Sequence, residues 1–549
     1  MTATKVSDHI LERLRAWGVA HVFGCPGEGI DGLLAAWARA GDEPRFVRAP
    51  HEKSASLEAV GYAKFSGHVG VCAVASGPGA THLLNGLYDA RLDHVPVVAI
   101  IGQPGGGTVG GAHQQEAELR RLFEDVAAAG SETVRVPGQL PDVLDRAIRT
   151  AYADRAPTAV IVPADVQDLA YPPTGQAHKL VPSSLDASGG APVPDDRSVV
   201  RAAEILNAGD RVALLIGQGA AQAAAEVAET AELLGAGVAK SLLGKDALSD
   251  LLPYVTGCIG PLGTRPSYEL MRDCDTLLTI GSGFPYSEFL PPYGQARAVR
   301  IDIDPHPVGP RYPYEVDLVG DAAATLRALR DLLRPVGDRS WQDGVVRGVR
   351  RWRTAMARQA GLGGNPVNPA YVAHTLDPLL PADAMITVDS GPVATWYARH
   401  LTMRDGMRGT LSGTLATTGC AVPYAMGAKF AHPDRPAVAL VDDGEMRANG
   451  LTELAAIAEH AGEWTDPRLI VAVWNNRDPY ADFARSLGMA GIHVTDPGRV
   501  EDAWRAALSA DGPTVLDFRT DPAVSPIPPH ASWDRFETTA GSARAGATT

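Results

Sequence analysis

The sequence predicts an α/β protein built on parallel sheets and divided into about three units. Three observations carry this. Short apolar runs of strand length recur along the chain, each ending in Gly, Ser, Asp or Asn, with stretches of helical spacing between them. That alternation is the pattern of strand–helix–strand crossovers. The length of 549 residues fits roughly 150 residues per domain. The stretch Leu180–Asp196 is rich in Pro, Ser, Gly and Asp, has no periodicity, and reads as a linker.

Composition removes several functional classes. A hydrophobic content of 45% and a charged content of 21% describe an ordinary globular protein. The net charge is −15 and no basic run stands out, so nucleic acid is not an expected partner. Cys25, Cys72, Cys258, Cys274 and Cys420 are scattered without CxxC spacing, as expected of reduced thiols in a cytoplasmic protein rather than a disulfide framework. Met1–Val19 is amphipathic and charged, unlike a signal peptide. No apolar run reaches the ~20 residues that span a bilayer, and no membrane-binding segment is expected.

In the first unit, Asp8–Trp17 has the spacing of an amphipathic helix, and His21–Gly24 is a strand turning at Cys25–Gly29. Arg45–Ala49 is a strand that delivers His51 and Glu52 to the start of a helix running towards Tyr62. Gly70–Ala75 is a strand running into Ser76-Gly-Pro-Gly79 and a helix over Thr81–Leu92, and Val95–Gly102 is a buried strand. In the second unit, the strands Arg211–Ile216 and Asp275–Ile280 end in Gly217-Gln-Gly219 and Gly281-Ser-Gly283, and Ala298–Ile303 ends in Asp302-Ile-Asp304. A helix over Ala220–Leu234 and a strand over Ala236–Lys240 lie between them. Alone, such Gly-x-Gly turns are weak evidence for a nucleotide. Arg334–Pro366 is charged, helical in pattern, and crosses to the third unit.

In the third unit, Pro381–Asp389 is a strand. Ala437–Val441 is another, ending in Asp442-Asp443-Gly444-Glu445. Leu451–His460 has helical spacing, and Leu469–Trp474 is a strand ending in Asn475-Asn476. This crossover puts both strand ends at one edge of a parallel sheet. An Asp and an Asn meeting there supply hard oxygen ligands, which suit Mg²⁺ holding a diphosphate.

Several motifs occur in a fixed order. His51-Glu52 is followed by Ala55, Ala59, Gly61-Tyr62-Ala63 and Gly67. Then come the run from Ser76-Gly-Pro-Gly-Ala-Thr-His82 to Tyr88-Asp-Ala90, Asp93-His-Val-Pro96, and the Asp443…Asn476 pair. On these residues the chain resembles thiamine-diphosphate (ThDP) enzymes of the pyruvate oxidase and acetolactate synthase branch, from the first helix to Pro528. The resemblance implies three doubly wound parallel-sheet domains: a pyrimidine-binding domain at 1–175, a central domain of FAD-binding type at 190–335, and a diphosphate-binding domain at 360–530. Residues 531–549 are expected to be a disordered tail.

By that resemblance Glu52, Gln115 and His82 are the catalytic candidates. Glu52 would hydrogen-bond the aminopyrimidine, whose imino form takes the thiazolium C2 proton. Gly27, Gly77, Pro78, Gly79, Asn85, Ala416, Thr418, Asp442, Gly444 and Glu445 would contact ThDP. Asp443, Asn476 and the Asp478 carbonyl would hold Mg²⁺. Gly217, Gly219, Lys245, Gly260, Gly263, Ser282, Asp302 and Asp321 would contact FAD. The chain departs from the family pattern at Asp442, Glu445, Thr418 and Gln114 and in a short segment after Asn476, where a lid is reduced or missing. The implied activity is decarboxylation of pyruvate or a related 2-oxo acid, oxidative with FAD. The alternatives are a non-oxidative decarboxylase or carboligase and a catalytically diverged member. A homodimer is the minimum assembly implied, and a homotetramer is common in the family.

Overall fold

The computed structural model describes residues 4–127, 130–171, 192–305 and 312–538. Three six-stranded parallel sheets follow one another along the chain. The first holds β1 (His21–Gly24), β2 (Arg45–Arg48), β3 (Gly70–Val74), β4 (Val97–Gln103), β5 (Ser131–Thr133) and β6 (Pro157–Pro163), in the order β2-β1-β3-β4-β6-β5. The second holds β7 (Val212–Ile216), β8 (Gly237–Lys240), β9 (Val255–Cys258), β10 (Thr276–Ile280), β11 (Arg297–Asp302) and β12 (Val316–Val319), in the order β12-β11-β10-β7-β8-β9. The third holds β13 (Met385–Val388), β14 (Arg408–Leu411), β15 (Ala437–Asp442), β16 (Leu469–Asn475), β17 (Ala490–Val494) and β18 (Thr514–Arg519), in the order β14-β13-β15-β16-β18-β17.

The inner strands are apolar on both faces because helices cover both sides. All seven residues of β16 and of β6 are buried, as a parallel sheet between two helix layers requires. Each sheet has a switch point where the chain changes winding direction: between β1 and β3, between β7 and β10, and between β13 and β15. At such a point successive loops diverge and leave a crevice beyond the strand ends.

The first and third domains meet through two buried helices, Glu52–Ser66 and Ala421–Ala431. Ala421–Phe430 is buried on every side. A Cβ on Gly427 would collide with the Glu58 carbonyl and the Tyr62 nitrogen, and one on Gly61 would collide with the Tyr424 backbone. Only glycine permits so close a crossing.

Three expectations need correction. The acidic turn after β15 is itself helical: Asp443–Glu445 runs through one π turn, Met446–Gly450, into the helix Leu451–His460. The tail is ordered for longer than expected. Residues 533–538 form a helix in which Phe536 is buried against Trp352, and Trp533 Nε1 donates to Glu269 at 2.7 Å. Residues 539–549 lie outside the described residues, as does most of the Leu180–Asp196 linker. The helix expected over Ala220–Leu234 opens instead as a 3₁₀ segment, Gln218–Ala223.

Candidate active site between the first and third domains

Glu52 is the first residue of its helix, and His51 caps that helix by accepting the Lys53 N–H on Nδ1 at 3.0 Å. The Glu52 carboxylate lies 3.0 Å from His82 Nδ1, and its other oxygen faces Gly79, where a Cβ would stand 3.4 Å away. The His51 and His82 rings lie 4.5 Å apart, centroid to centroid. Burial raises the Glu52 pKa, but hydrogen bonds from His82 and from its own backbone N–H, with the two imidazoles, hold the carboxyl below its usual range. Burial lowers His51.

Gln115 joins this group. It has a positive φ of 64°, its Cβ abuts the open side of Gly77, and Ser76 Oγ donates to its Oε1 at 3.4 Å. Pro78 opens the helix Pro78–Leu92, which carries His82 and Asn85. Gly27 packs beneath Ala75, at the end of β3. The first-domain residues singled out in the sequence therefore share one crevice, between the β1 and β3 ends.

Third-domain residues of the same chain pack against the two helices that carry Glu52 and His82. Thr417 Oγ1 donates to Asn85 Oδ1 at 2.5 Å, and Lys53 Nζ donates to the Thr418 carbonyl at 2.9 Å. Ser412 donates to Asp89, and Asp93 accepts from the N–H groups of Gly413 and Thr414. Asn449 reaches Ser54 at 3.4 Å and donates to the Gly419 carbonyl at 3.2 Å. Ala416 has a positive φ of 54°, and both it and Thr418 are exposed.

The crevice between β13 and β15 is acidic. Asp442 Oδ2 accepts the N–H of Val393, the first residue of the helix Val393–His400, at 2.9 Å. Asp389 is fully buried; its Oδ1 accepts the Ala421 N–H, and its Oδ2 has no partner among the described residues. Glu445 Oε1 stands 3.0 Å from the position of a Gly391 Cβ, while Gly444 faces open space. Burial, reinforced by the neighbouring carboxylates, pushes Asp389 and Asp442 each up to about 7.

Two of the three expected metal ligands, Asp443 and the Asp478 carbonyl, are already engaged. Tyr480 donates its hydroxyl to Asp443 Oδ1 at 2.8 Å, and Arg447 Nη2 donates to Asp443 Oδ2 at 2.8 Å. The Asp478 carbonyl accepts from Asn475 Nδ2 at 2.5 Å, and Arg447 Nε lies 3.5 Å from the Asp478 carboxylate. Asn475 also holds Asp517 at 2.6 Å, whereas Asn476 is exposed. A divalent ion on Asp443 would sit a few ångströms from the Arg447 guanidinium, with steep like-charge repulsion. A cleft of about 600 Å³ opens at Asp443, which lines it together with Arg447, Asn476, Arg477, Arg519 and Thr520.

The central sheet corrects one further residue. Lys245 is fully buried, its Nζ 3.4 Å from Asp250 and 5.3 Å from the Tyr397 ring centroid, so it does not face a ligand. Gly217 and Gly219 close on Gly281, backbone against backbone, and Gly263 abuts the Cys258 carbonyl. Asp321 caps the helix Ala322–Arg330, and Asp302 pairs with Arg300 at 3.2 Å. Gly260 stands beside Phe284, and the buried Ser282 hydroxyl has no partner among the described residues.

Three doubly wound sheets, with candidate residues beyond the strand ends of each, define a class of α/β proteins that bind cofactors there. Family models narrow this further. They match as the thiamine pyrophosphate enzyme N-terminal TPP binding domain over residues 4–122, the central domain over 199–329, and the C-terminal TPP binding domain over 389–478. The chain belongs to the thiamine pyrophosphate enzyme family. It is 33% identical over 531 residues to a putative thiamine pyrophosphate-containing protein, YdaP, of Bacillus subtilis, covering 92% of this chain and 90% of that one. It is 30% identical over 439 residues to pyruvate oxidase of Lactiplantibacillus plantarum, covering 79% and 72%. It is 29% identical over 558 residues to the acetolactate synthase isozyme 2 large subunit of Escherichia coli, covering 95% and 97%.

The first-domain crevice fits an aminopyrimidine: a carboxylate with one oxygen held by His82 and the other turned to a small glycine surface. The third-domain residues do not fit a magnesium-bound diphosphate. Asp442 occupies the first N–H of the helix Val393–His400 and puts a carboxylate in the crevice, and Arg447 brings its own charge to Asp443. Arg447, Tyr480 and Arg519 were not foreseen as site residues. The one available signal was the four-residue spacing of Asp443 and Arg447, which places both on one side of a helical turn.

Proposed function

We propose that this chain is a ThDP-dependent enzyme that removes carbon dioxide from pyruvate or a related 2-oxo acid. The observation that carries the reading is the placement of Glu52. It is held ionised by His82 and open towards Gly79, on a helix whose next residue, Lys53, donates to the Thr418 carbonyl of the third domain. When bound, ThDP supplies the electron sink for the carbon–carbon cleavage.

The chain's own residues do the rest. Glu52 would hydrogen-bond the aminopyrimidine ring nitrogen through its free carboxylate oxygen and hold a proton between the two. His82 fixes the orientation of that carboxylate. Gln115 and Gly77 wall the pocket beside it, and Asn85 braces the 412–419 loop. General acid–base placement of this kind contributes roughly 10²–10⁴-fold in rate. The protein is read as a cytoplasmic homodimer or homotetramer acting on a small-molecule substrate.

The central domain favours the non-oxidative form of this reaction, decarboxylation or carboligation, over the oxidative form with FAD. Lys245 is withdrawn into a buried ion pair, and Gly217, Gly219 and Gly281 pack on one another. Product analysis with pyruvate and ThDP separates the two, together with a visible spectrum of the purified protein. Acetaldehyde, acetoin or acetolactate from a colourless protein is the expected result. A yellow protein that bleaches with pyruvate and yields acetate or acetyl phosphate would restore the oxidative form. No carbon dioxide from any 2-oxo acid, with ThDP bound, would overturn the reading.

A further inference from the structure

The third domain carries a cation of its own where the family reading expects a divalent metal. Both carboxylate oxygens of Asp443 receive donors, one from Tyr480 and one from Arg447. Arg447 also approaches the Asp478 carboxylate, while the Asp478 carbonyl, the group expected on the metal, accepts from Asn475. The crevice between β13 and β15 offers no alternative anion seat, because Asp442 occupies the Val393 N–H and Glu445 and Asp389 stand beside it.

The neighbouring cleft has the opposite character. Its wall joins the Asp443–Arg447 pair to Arg477 and Arg519, and neither Arg477 nor Arg519 has a side-chain hydrogen bond or ion pair among the described residues. Two uncompensated guanidiniums on a cavity of about 600 Å³ make a seat for an anion, and a planar guanidinium fork suits phosphate oxygens.

We propose that this chain holds a diphosphate in the Arg447–Arg477–Arg519 cleft without a divalent cation, Arg447 standing in for the metal on Asp443. The proposal rests on the ThDP reading above and concerns only how the diphosphate end is held. Arg447 neutralises Asp443 from within the chain. Arg477 and Arg519 then supply the charge that faces the phosphates, and Thr520 and the Asn476 amide offer neutral polar groups at the rim. The carboxylates Asp442 and Glu445 remain in the β13–β15 crevice, away from the phosphates.

The test is calorimetric titration of the full-length protein with ThDP, with thiamine and with inorganic diphosphate. Each titration is made in EDTA and again in excess Mg²⁺, with metal content measured after dialysis. The expected result is ThDP affinity unchanged between EDTA and Mg²⁺, no stoichiometric metal, and much weaker binding of thiamine. Arg519→Gln and Arg477→Gln should each weaken ThDP roughly tenfold, as the loss of one charge-assisted hydrogen bond to phosphate implies, with an unchanged thermal melt. Arg447→Met, which frees Asp443, should convert binding to a Mg²⁺-dependent form. Inorganic diphosphate that binds wild type and competes with ThDP supports the cleft as the seat; if it fails to compete, that location is wrong. Binding of ThDP only with Mg²⁺ would overturn the proposal while leaving the proposed function intact. No binding of ThDP under either condition would overturn both.

Discussion

At Asp442 a carboxylate stands on the peptide N–H that opens the helix Val393–His400, in a crevice shared with Asp389 and Glu445. Its pKa is raised from 3.8 to about 7, so between about pH 4 and pH 7 the folded chain keeps a proton that the unfolded chain has lost. Stability from this group is therefore fully present at low pH, declines as pH rises through that window, and is constant above it. Asn has the same shape, can still accept from Val393, and has no such slope. Asp442→Asn should thus gain stability over wild type as pH rises from 4 to 7. The gain should level off at about 1 kcal/mol, the partial exposure of the site screening the charge. Thermal melts of both proteins across pH 4–8 check this; parallel curves would contradict it. The acidic residues at 442 and 445 were legible in the sequence as departures from a pattern. What they do was not, because Val393 meets Asp442 only when β13 and β15 pair, and Tyr480 meets Asp443 only when β16 joins them.

Among the elements, the long apolar strands and the helix Leu451–His460 were legible because their periodicity and length leave little choice. The short edge strands β5 (Ser131–Thr133) and β14 (Arg408–Leu411) were not. Their three or four residues carry no pattern, and pairing with one neighbour defines them. The π turn at Met446–Gly450 was equally hidden, since no local composition announces one extra residue in a turn. The crossing of Glu52–Ser66 with Ala421–Ala431 is the element-scale feature on which the site depends, because it fixes Glu52 against the 412–419 loop. Gly427→Ala should cost about 1–3 kcal/mol, since its methyl would meet backbone atoms that cannot rotate away. Urea unfolding midpoints measure the loss; a midpoint equal to wild type would show that the two helices can separate at no cost.

For the whole molecule, domain order and sheet class could be read from the sequence because the same alternation repeats three times. The meeting of the first and third domains within one chain could not, because it rests on contacts more than 300 residues apart in sequence: Lys53 with Thr418, Asn85 with Thr417, and Asp93 with Gly413 and Thr414. These contacts hold the helix that begins at Glu52 against the 412–419 loop of the third domain. The most direct test of the account is the rate at which the C2 proton of bound ThDP exchanges with deuterium, measured by NMR after acid quench. It is compared in wild type, Glu52→Asp and Glu52→Gln at equal cofactor occupancy. Exchange in Glu52→Gln should be slowed by roughly 10²–10⁴-fold, the worth of a positioned acid–base group, with Glu52→Asp in between and all three folded alike. Equal exchange rates in wild type and Glu52→Gln would contradict it, and would remove Glu52 from the chemistry.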